Sequence, residues 1–574
     1  MEISEEERKL LPKLIERRLA GKQEHTKFSD LEKKVDTAIQ KYREKLSREV
    51  ERKEEKAKAI YAEIDLNSTN QTFYRSVGLE LICDHFWRNL QFDSILSQCN
   101  FSRKEKDLAK TIIFGRLISP GSELHTMRWF FNQSSLLEML LSDLSEAKRD
   151  SFYEISDLLY VHKTKIEDHL RQNTKKLFSY RDTIYLYDLT NTYFEGRKQN
   201  SNLCFHGKSK EKRSDCPLVT LALVVDQNGF PKYSRIYKGN QSEPLTLKAT
   251  LNKIYSSSDN LLDYLEKPSI AMDRGIATKD NIQYLKDNNY SYFIIERRDA
   301  ARDYKEEFSN IIQEGKKYKT RSGQTIYLKK KNEKDCVRVL VYSVMKSQKE
   351  DSIIGKRESR FFEDLAALIK SNKNGYIKDK QKILIRLGRL KERYGAIANL
   401  YNITLENDSK KGYVSRISFK RKLGKISKKD SSGCYVIETD NHNYTAEEIW
   451  EFYMNLNEVE SAFRSFKTDL GTRPVYHRRD SRIESHLFIS VLAYSILKSI
   501  IYSLNQKGYK KSWKLIKEIL SNHMRGTTIQ QSKSGEIYNI RVNGIPEKEA
   551  LIIYKLLDMK IRPERKIKKQ KIHL

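Results

Sequence analysis

Cysteine, proline and long apolar runs are all scarce in this 574-residue chain. The six cysteines, Cys83, Cys99, Cys204, Cys216, Cys336 and Cys434, form no Cys-x-x-Cys pair. That argues against a disulfide scaffold and predicts reduced thiols. Cys204, His206 and Cys216 share one segment, but their spacing fits no zinc pattern. Nine prolines and 23 glycines exclude collagen-like and linker-dominated architectures. The opening Met-Glu-Ile-Ser-Glu-Glu-Glu lacks the basic and apolar regions of a secretory signal. The most apolar stretch, 487–497, is too short to span a bilayer and predicts a buried helix, so no membrane partner is expected.

What is abundant is positive charge. The chain holds 108 Lys and Arg against 77 Asp and Glu, a formal net charge of +31. Such a chain attracts polyanions, which makes nucleic acid the default partner. With 38% hydrophobic residues it can also bury real cores, and its length predicts three or four domains at roughly 100–200 residues each. The charge is unevenly spread: residues 301–445 carry 34 basic and 18 acidic groups, the tail 560–574 carries 7 and 1, and residues 61–180 carry 15 and 16.

Leu31, Val35, Ile39, Tyr42, Leu46 and Val50 recur at helical spacing and predict an amphipathic helix over 31–60. Helical patterns dominate from 72 to about 180, broken at Ser119-Pro120-Gly121-Ser122. The flanking helices, about 103–117 and 122–132, have a helix–turn–helix-like spacing that an ordinary bundle would equally produce. Arg103, Lys104, Lys106 and Lys110 are the basic residues there that could meet phosphates. After Arg181 the period changes, giving strands at 183–188, 219–225 and 233–237, a helix at 245–255, a strand at 269–273, a helix at 278–287 and a strand at 290–295. Residues 301–445 mix strand-like runs with two basic helical stretches. A long helix over 446–469 and an apolar helix over 483–504 follow.

Three carboxylates stand out by position. Asp188 and Asp273 each close an apolar strand, where α/β sheets place their chemistry, although either alone could simply cap a turn. Glu460 borders the apolar stripe Ile449, Phe452, Tyr453, Leu456, Val459, Phe463 and Phe466, two turns from both Tyr453 and Lys467. A carboxylate so placed needs a partner or a cation; the bland alternative is a surface pair with Arg464 one turn on. Three carboxylates from two strands and a later helix could hold two Mg²⁺ ions for in-line attack on a phosphodiester.

The run Tyr453-Met-Asn-Leu-Asn-Glu-Val-Glu460-Ser-Ala-Phe-Arg464-Ser-Phe-Lys467, followed by Arg473-Pro-Val-Tyr-His477, resembles the DDE transposases of bacterial insertion sequences. Tyr187-Asp188-Leu-Thr-Asn-Thr-Tyr-Phe-Glu-Gly196, Tyr237-Lys-Gly-Asn240 and Met272-Asp273-Arg274-Gly275 strengthen the resemblance, which covers roughly residues 75–510. The superfamily, insertion-sequence four, is marked by Tyr-x2-Arg-x3-Glu-x6-Lys. Here Leu456 stands at the Arg position, which points to a Leu-for-Arg branch and puts one phosphate contact in doubt.

The resemblance implies an α/β RNase H-like catalytic core with a helical N-terminal domain and a mainly β insertion domain. The expected organisation is a helical arm over 1–70, a helical DNA-binding domain over 71–180 and the first part of the core over 181–300. A basic, mainly β insertion over 301–445, the second part of the core over 446–510 and a C-terminal helical region with basic tail over 511–574 complete it. Asp188, Asp273 and Glu460 are the implied catalytic residues and ligands of two Mg²⁺ ions, with Mn²⁺ able to substitute. Tyr453, Arg464, Lys467, Arg473, His477 and Arg274 are the implied DNA contacts. The implied activity is cut-and-paste transposition. It comprises binding of terminal inverted repeats, hydrolysis at the element ends and joining of the 3′-hydroxyls to target DNA. The active form would be a homodimer on double-stranded DNA in the bacterial cytoplasm, associated with the nucleoid. The alternatives are an RNase H-like nuclease without strand transfer and a domesticated DNA-binding protein.

Overall fold

The computed structural model describes residues 62–194, 201–207, 215–256, 267–296, 300–320, 323–407, 413–422, 431–475, 477–560 and 565–571. The helix expected over 31–60 lies outside the described residues. Two compact units are present: Met1–Thr72 with Thr527–Val542 and Arg565–Leu574, and Phe73–Gly526 with Asn543–Glu564.

The smaller unit is built on a four-stranded sheet in the order β1 (Ile64–Ser76), β13 (Met524–Ser532), β14 (Glu536–Asn543) and β15 (Arg565–Lys571). The expected helical C-terminal region with a basic tail is therefore corrected. Among the described residues helices cover only Trp513–Ser521 and Lys548–Leu556, and Arg565–Lys571 of the basic tail form an antiparallel strand with Ile567 opposite Ile540. Strand β1 likewise replaces helix at the end of the expected arm.

The larger unit begins with a helical domain: α1 (Gly78–Asn89), α2 (Phe92–Gln98), α3 (Arg103–Ile118), α4 (Glu123–Asn132), α5 (Leu136–Met139), α6 (Arg149–Val161) and α7 (Lys163–Leu177). A capping box at Ser102 and Glu105 starts α3, and the Ser122 hydroxyl caps α4 by accepting the His125 N–H at 3.2 Å. Nearly all of α3 from Asp107 to Ile118 is buried, as in a bundle core.

A nine-stranded sheet follows, in the order β4-β3-β2-β5-β6-β12-β9-β8-β7. Its first five strands are β2 (Ile184–Tyr193), β3 (Leu218–Asp226), β4 (Pro231–Lys238), β5 (Ser269–Met272) and β6 (Tyr292–Ile295). β2, β3 and β4 form an antiparallel meander, while β5 and β6 run parallel to β2. Every residue of β3 is buried, which explains its unbroken apolar run: both faces of this strand are covered. Helices α8 (Leu247–Ser256) and α9 (Lys279–Asp287) make the crossovers that parallel pairing requires.

The insertion differs from a separate, mainly β domain. After α10 (Ala300–Asp303) and α11 (Lys305–Glu314), strands β7 (Lys316–Lys319), β8 (Thr325–Asn332) and β9 (Val337–Ser343) join the core sheet. They do so through β12 (Cys434–Thr439), which pairs with β6. Between β9 and β12 lies a largely helical module: α12 (Val344–Lys373), α13 (Lys380–Arg393), α14 (Gly395–Ala398) and the hairpin β10 (Tyr401–Asn407)–β11 (Val414–Arg421). This module has its own core, including Phe361, Leu365, Ile383, Leu387 and Ile417.

The expected helix over 446–469 is two helices, α15 (Ala446–Met454) and α16 (Leu456–Thr468), divided at Asn455. The long α17 (Asp480–Gln506) is apolar enough to cross a membrane by composition, but it is mostly buried against the sheet and the helical domain. Helix α18 (Trp513–Ser521) and helix α19 (Lys548–Leu556) complete the larger unit.

Candidate active site

The parallel ladder of β2 and β5 runs from Ile184–Ser269 to Tyr187–Met272. Asp188 and Asp273 are the next residue on each strand, and adjacent strands lie about 4.8 Å apart. Asp188 lies within β2 rather than at its end, because β2 continues to Tyr193 while β5 stops at Met272. Its half-buried carboxylate accepts the Leu189 N–H at 2.7 Å. Asp273 is exposed in the turn leaving β5. Its carboxylate accepts the Arg274 N–H at 2.7 Å and its carbonyl accepts the Ile276 N–H at 2.9 Å.

Side-chain alternation puts Asp188 on the sheet face of Leu186. That face packs in one core with Val459, Phe463 and Phe466 of α16. Glu460 follows Val459 on this helix and is exposed. Tyr453 links the two elements electrostatically. Burial pushes its hydroxyl pKa up, and the negative charges of Asp273 and Glu460 add to the rise. The Glu460–Arg464 pair does not form, and among the described residues neither Asp273 nor Glu460 makes an ion pair. Acidic oxygens without a protein counter-charge fit divalent cations, whose preferred ligands are carboxylate oxygens and water.

Behind the aspartates, the buried Tyr187 hydroxyl donates to Thr246 Oγ1 at 2.6 Å, and Tyr237 meets Thr250 Oγ1 at 3.1 Å. These bonds hold the turn Glu243–Thr246 and the start of α8 against the sheet. Glu243 was missed in the sequence. Its Oε2 lies 3.2 Å from where a Cβ on Gly275 would project, so a fourth carboxylate reaches the turn that carries Asp273. Its place three residues after Tyr237-Lys-Gly-Asn240 was the only signal available.

The expected DNA contacts divide. Arg274 and Arg464 are exposed, and Tyr453 and Lys467 are half-buried on the helices of Glu460. The Arg473 guanidinium lies over the Tyr193 ring at 5.9 Å, at the far end of β2, where the Val475 N–H bonds the Tyr193 carbonyl at 3.1 Å. His477 is corrected. Its side chain is only 10% exposed, with Nε2 3.0 Å from Glu123 Oε2 and 3.2 Å from His486 Nδ1. Leu456 is half-buried and packs against the main core.

Glu123, His477 and His486 are the one group of three potential ligands that converges within 4.8 Å among the described residues; neither Asp188, Asp273 and Glu460 nor Cys204, His206 and Cys216 form such a group. The fourth member decides how the group is read. Buried Arg116 brings Nη2 to 2.9 Å from His486 Nδ1 and occupies the lone pair a metal would need. Burial depresses the His486 pKa to about 4, aided by the Arg116 charge, so the ring is neutral. Burial alone would raise the Glu123 pKa, but the two imidazoles hold it well below the usual range. The cluster is a carboxylate–guanidinium pair bridged by imidazoles, tying α3 and α4 to α17.

The basic patch expected at the start of α3 is also reduced. Lys110 is committed to Asp84 at 2.9 Å and Lys106 donates to Ser97 at 2.6 Å, which leaves Arg103 and Lys104 exposed.

No curated protein matches the chain. The family model described as "Transposase DDE domain" matches residues 180–496, more than half of the chain, from β2 into α17, a span that includes Asp188, Asp273 and Glu460. The chain thus belongs to the transposase DDE domain family, whose members act on DNA with divalent metal ions on an RNase H-like α/β core.

Proposed function

We propose that this chain is a cut-and-paste transposase of the insertion-sequence four superfamily, in the branch with Leu in place of the signature Arg. The observation that supports the reading is the register of β2 and β5, which sets Asp188 and Asp273 directly after paired residues, with Glu460 on the helix that packs over the face of Leu186. Among the described residues neither Asp273 nor Glu460 makes an ion pair. These three carboxylates would hold two Mg²⁺ ions, or Mn²⁺. When bound, the ions would activate a water or 3′-hydroxyl and stabilise the leaving oxygen.

The chain's own residues supply position. β2 and β5 set the aspartates through their register, and Glu460 lies on α16, the helix that packs over the sheet face of Leu186. Tyr453 remains a protonated donor beside two carboxylates, suited to a phosphate oxygen of the scissile strand. Arg464, Lys467, Arg274 and Arg473 would contact flanking phosphates, and the basic insertion would grip the backbone further out. The reading includes terminal inverted repeats as the recognised ends, a homodimer bridging two ends, and a cytoplasmic, nucleoid-associated location.

Purified protein should cut an end-containing duplex only with Mg²⁺ or Mn²⁺ present, and should join pre-cleaved ends to a target plasmid. Asp188→Asn, Asp273→Asn and Glu460→Gln should each lower cleavage by at least ~10³-fold, a loss of about 4 kcal/mol in transition-state stabilisation. Wild-type cleavage by all three variants would sink the mechanism. Cleavage without joining would favour a plain nuclease.

A further inference from the structure

The helical module between β9 and β12 carries charge out of proportion to its size. Residues 344–422 hold 20 Lys and Arg against 9 Asp and Glu. Helix α13 is the densest part, with six basic residues and only Glu392 acidic. Its burial pattern orients it. Ile383, Leu387 and Leu390 form the one buried stripe and pack on the module core, while the remaining positions from Lys380 to Arg393 are exposed.

Lys382, Arg386, Arg389 and Arg393 recur at intervals of four, three and four, so they form a second stripe about 100° around the helix from the buried one. The stripe extends about 16 Å along the axis at 1.5 Å per residue. Arg393 is partly engaged, 3.1 Å from Asp364 on α12, yet its side chain is 69% exposed. Lys382, Arg386 and Arg389 make no ion pair among the described residues. Arg357 of α12 lines the same groove as Arg393, so the row of cations continues across the helix pair. Four like charges on one face repel one another, and an isolated module gains nothing from aligning them. A polyanion of regular spacing offsets that cost, and arginine forks suit phosphate oxygens.

The geometry points to the Lys382–Arg386–Arg389 stripe of α13 as a binding surface for the phosphate backbone of duplex DNA, remote in sequence from the carboxylates. This assignment rests on the DNA substrate of the proposed function and adds the segment that grips it. The chemistry is shared by element ends and target, and separate arms of the test distinguish them. The stripe itself is made of cations, with the exposed Leu384 and Ile385 beside it rather than within it, which favours backbone contact over docking of a folded acidic protein.

The test measures binding of the full chain, in EDTA, to an end-containing duplex and to an unrelated duplex of equal length across a salt series. The triple variant K382Q/R386Q/R389Q should lower affinity at least tenfold on one or both duplexes. Its log K against log salt should flatten by about 2–3 units, since each lost phosphate contact removes about 0.9. The melting temperature should stay at the wild-type value because all three side chains are exposed. Loss on the end duplex alone assigns the stripe to the ends, and equal loss on both assigns it to any duplex. The variant K380Q/K391Q, on another face of α13, should change the slope by less per charge. Wild-type affinity and slope in the triple variant overturn the proposal, as does an equal per-charge effect in the control. If the triple variant unfolds, R386Q alone decides, with a slope change of about 1 expected and no change overturning it. Because binding is read without metal, failure of wild-type cleavage would sink the transposase reading and leave this result standing.

Discussion

Tyr187 and Met272 face each other as the last rung of the parallel ladder between β2 and β5, and an aspartate follows each of them. Two negative groups on adjacent strands repel, and among the described residues Asp273 has no cation of the protein to relieve the repulsion. A ligand that binds only the folded chain stabilises it by mass action. Millimolar Mg²⁺ is therefore expected to raise the melting temperature of wild-type protein by a few degrees and to raise that of Asp273→Asn less. Equal shifts in both would show that the ion binds elsewhere.

The second expectation concerns pH. Glu80 is fully buried, and burial lifts its pKa to about 7, only partly countered by hydrogen bonds from Ser134 at 2.6 Å and Ser76 at 3.3 Å. The folded state thus holds a proton that the unfolded state releases near pH 4.5, and stability falls as pH rises from 4.5 through about 7. The loss approaches about 3 kcal/mol as an upper bound, at 1.36 kcal/mol per pKa unit. Glu80→Gln keeps the shape and removes the titration. Denaturant unfolding at pH 5 and pH 8 should show a smaller difference in the variant than in wild type.

Truncating Glu123 isolates Arg116. Burial already depresses the pKa of this guanidinium to about 10, with Glu123 holding it up. Glu123→Ala should cost about 3–5 kcal/mol, the usual result of leaving a buried charge unpaired. The double variant Glu123→Gln with Arg116→Met should cost less than Glu123→Ala, and chemical denaturation compares them directly. A Glu123→Ala loss under 1 kcal/mol would mean that water reaches Arg116.

Leu456, which would stand at the Arg position of the proposed signature, packs on the core. Leu456→Ala is expected to cost about 1–2 kcal/mol, below the range for fully buried leucines. Leu456→Arg should lower the melting temperature without tightening binding to end DNA. A tenfold gain in affinity would show that the position still faces phosphate.

Much of the core was legible in the sequence. Five strands and two helices appear in the expected order, because β3 and β5 are short apolar runs bounded by Asn, Gly and Asp turns. Asp188 and Asp273 were visible because each interrupts such a run. Pairing partners were not legible. The strand-like runs of 325–328, 337–344 and 434–438 predict strands, but periodicity does not say that β12 adds to β6 and extends the same sheet. Burial of single polar residues was equally hidden. His477 follows Arg473-Pro-Val-Tyr and looks like a surface contact until Glu123, over 350 positions earlier, closes on it. The division at Asn455 escaped notice because helical periodicity runs through it and the residue itself keeps right-handed dihedrals.

The helical module leaves the sheet after Ser343 and the chain returns at Cys434, which pairs with Tyr342. Departure and return are thus neighbours on one ladder, as the two ends of a hairpin turn would be. A segment spliced into a sheet in this way can lengthen, shrink or be exchanged at little cost, because closing a longer loop adds only about 0.6 kcal/mol per doubling. The spacing between Asp273 and Glu460 along the chain is then free to drift while their spacing in the fold is held by β5, β6, β12 and the helices that follow. A lineage could refit the module proposed to grip DNA between those rungs and leave the sheet of the DDE domain where it was.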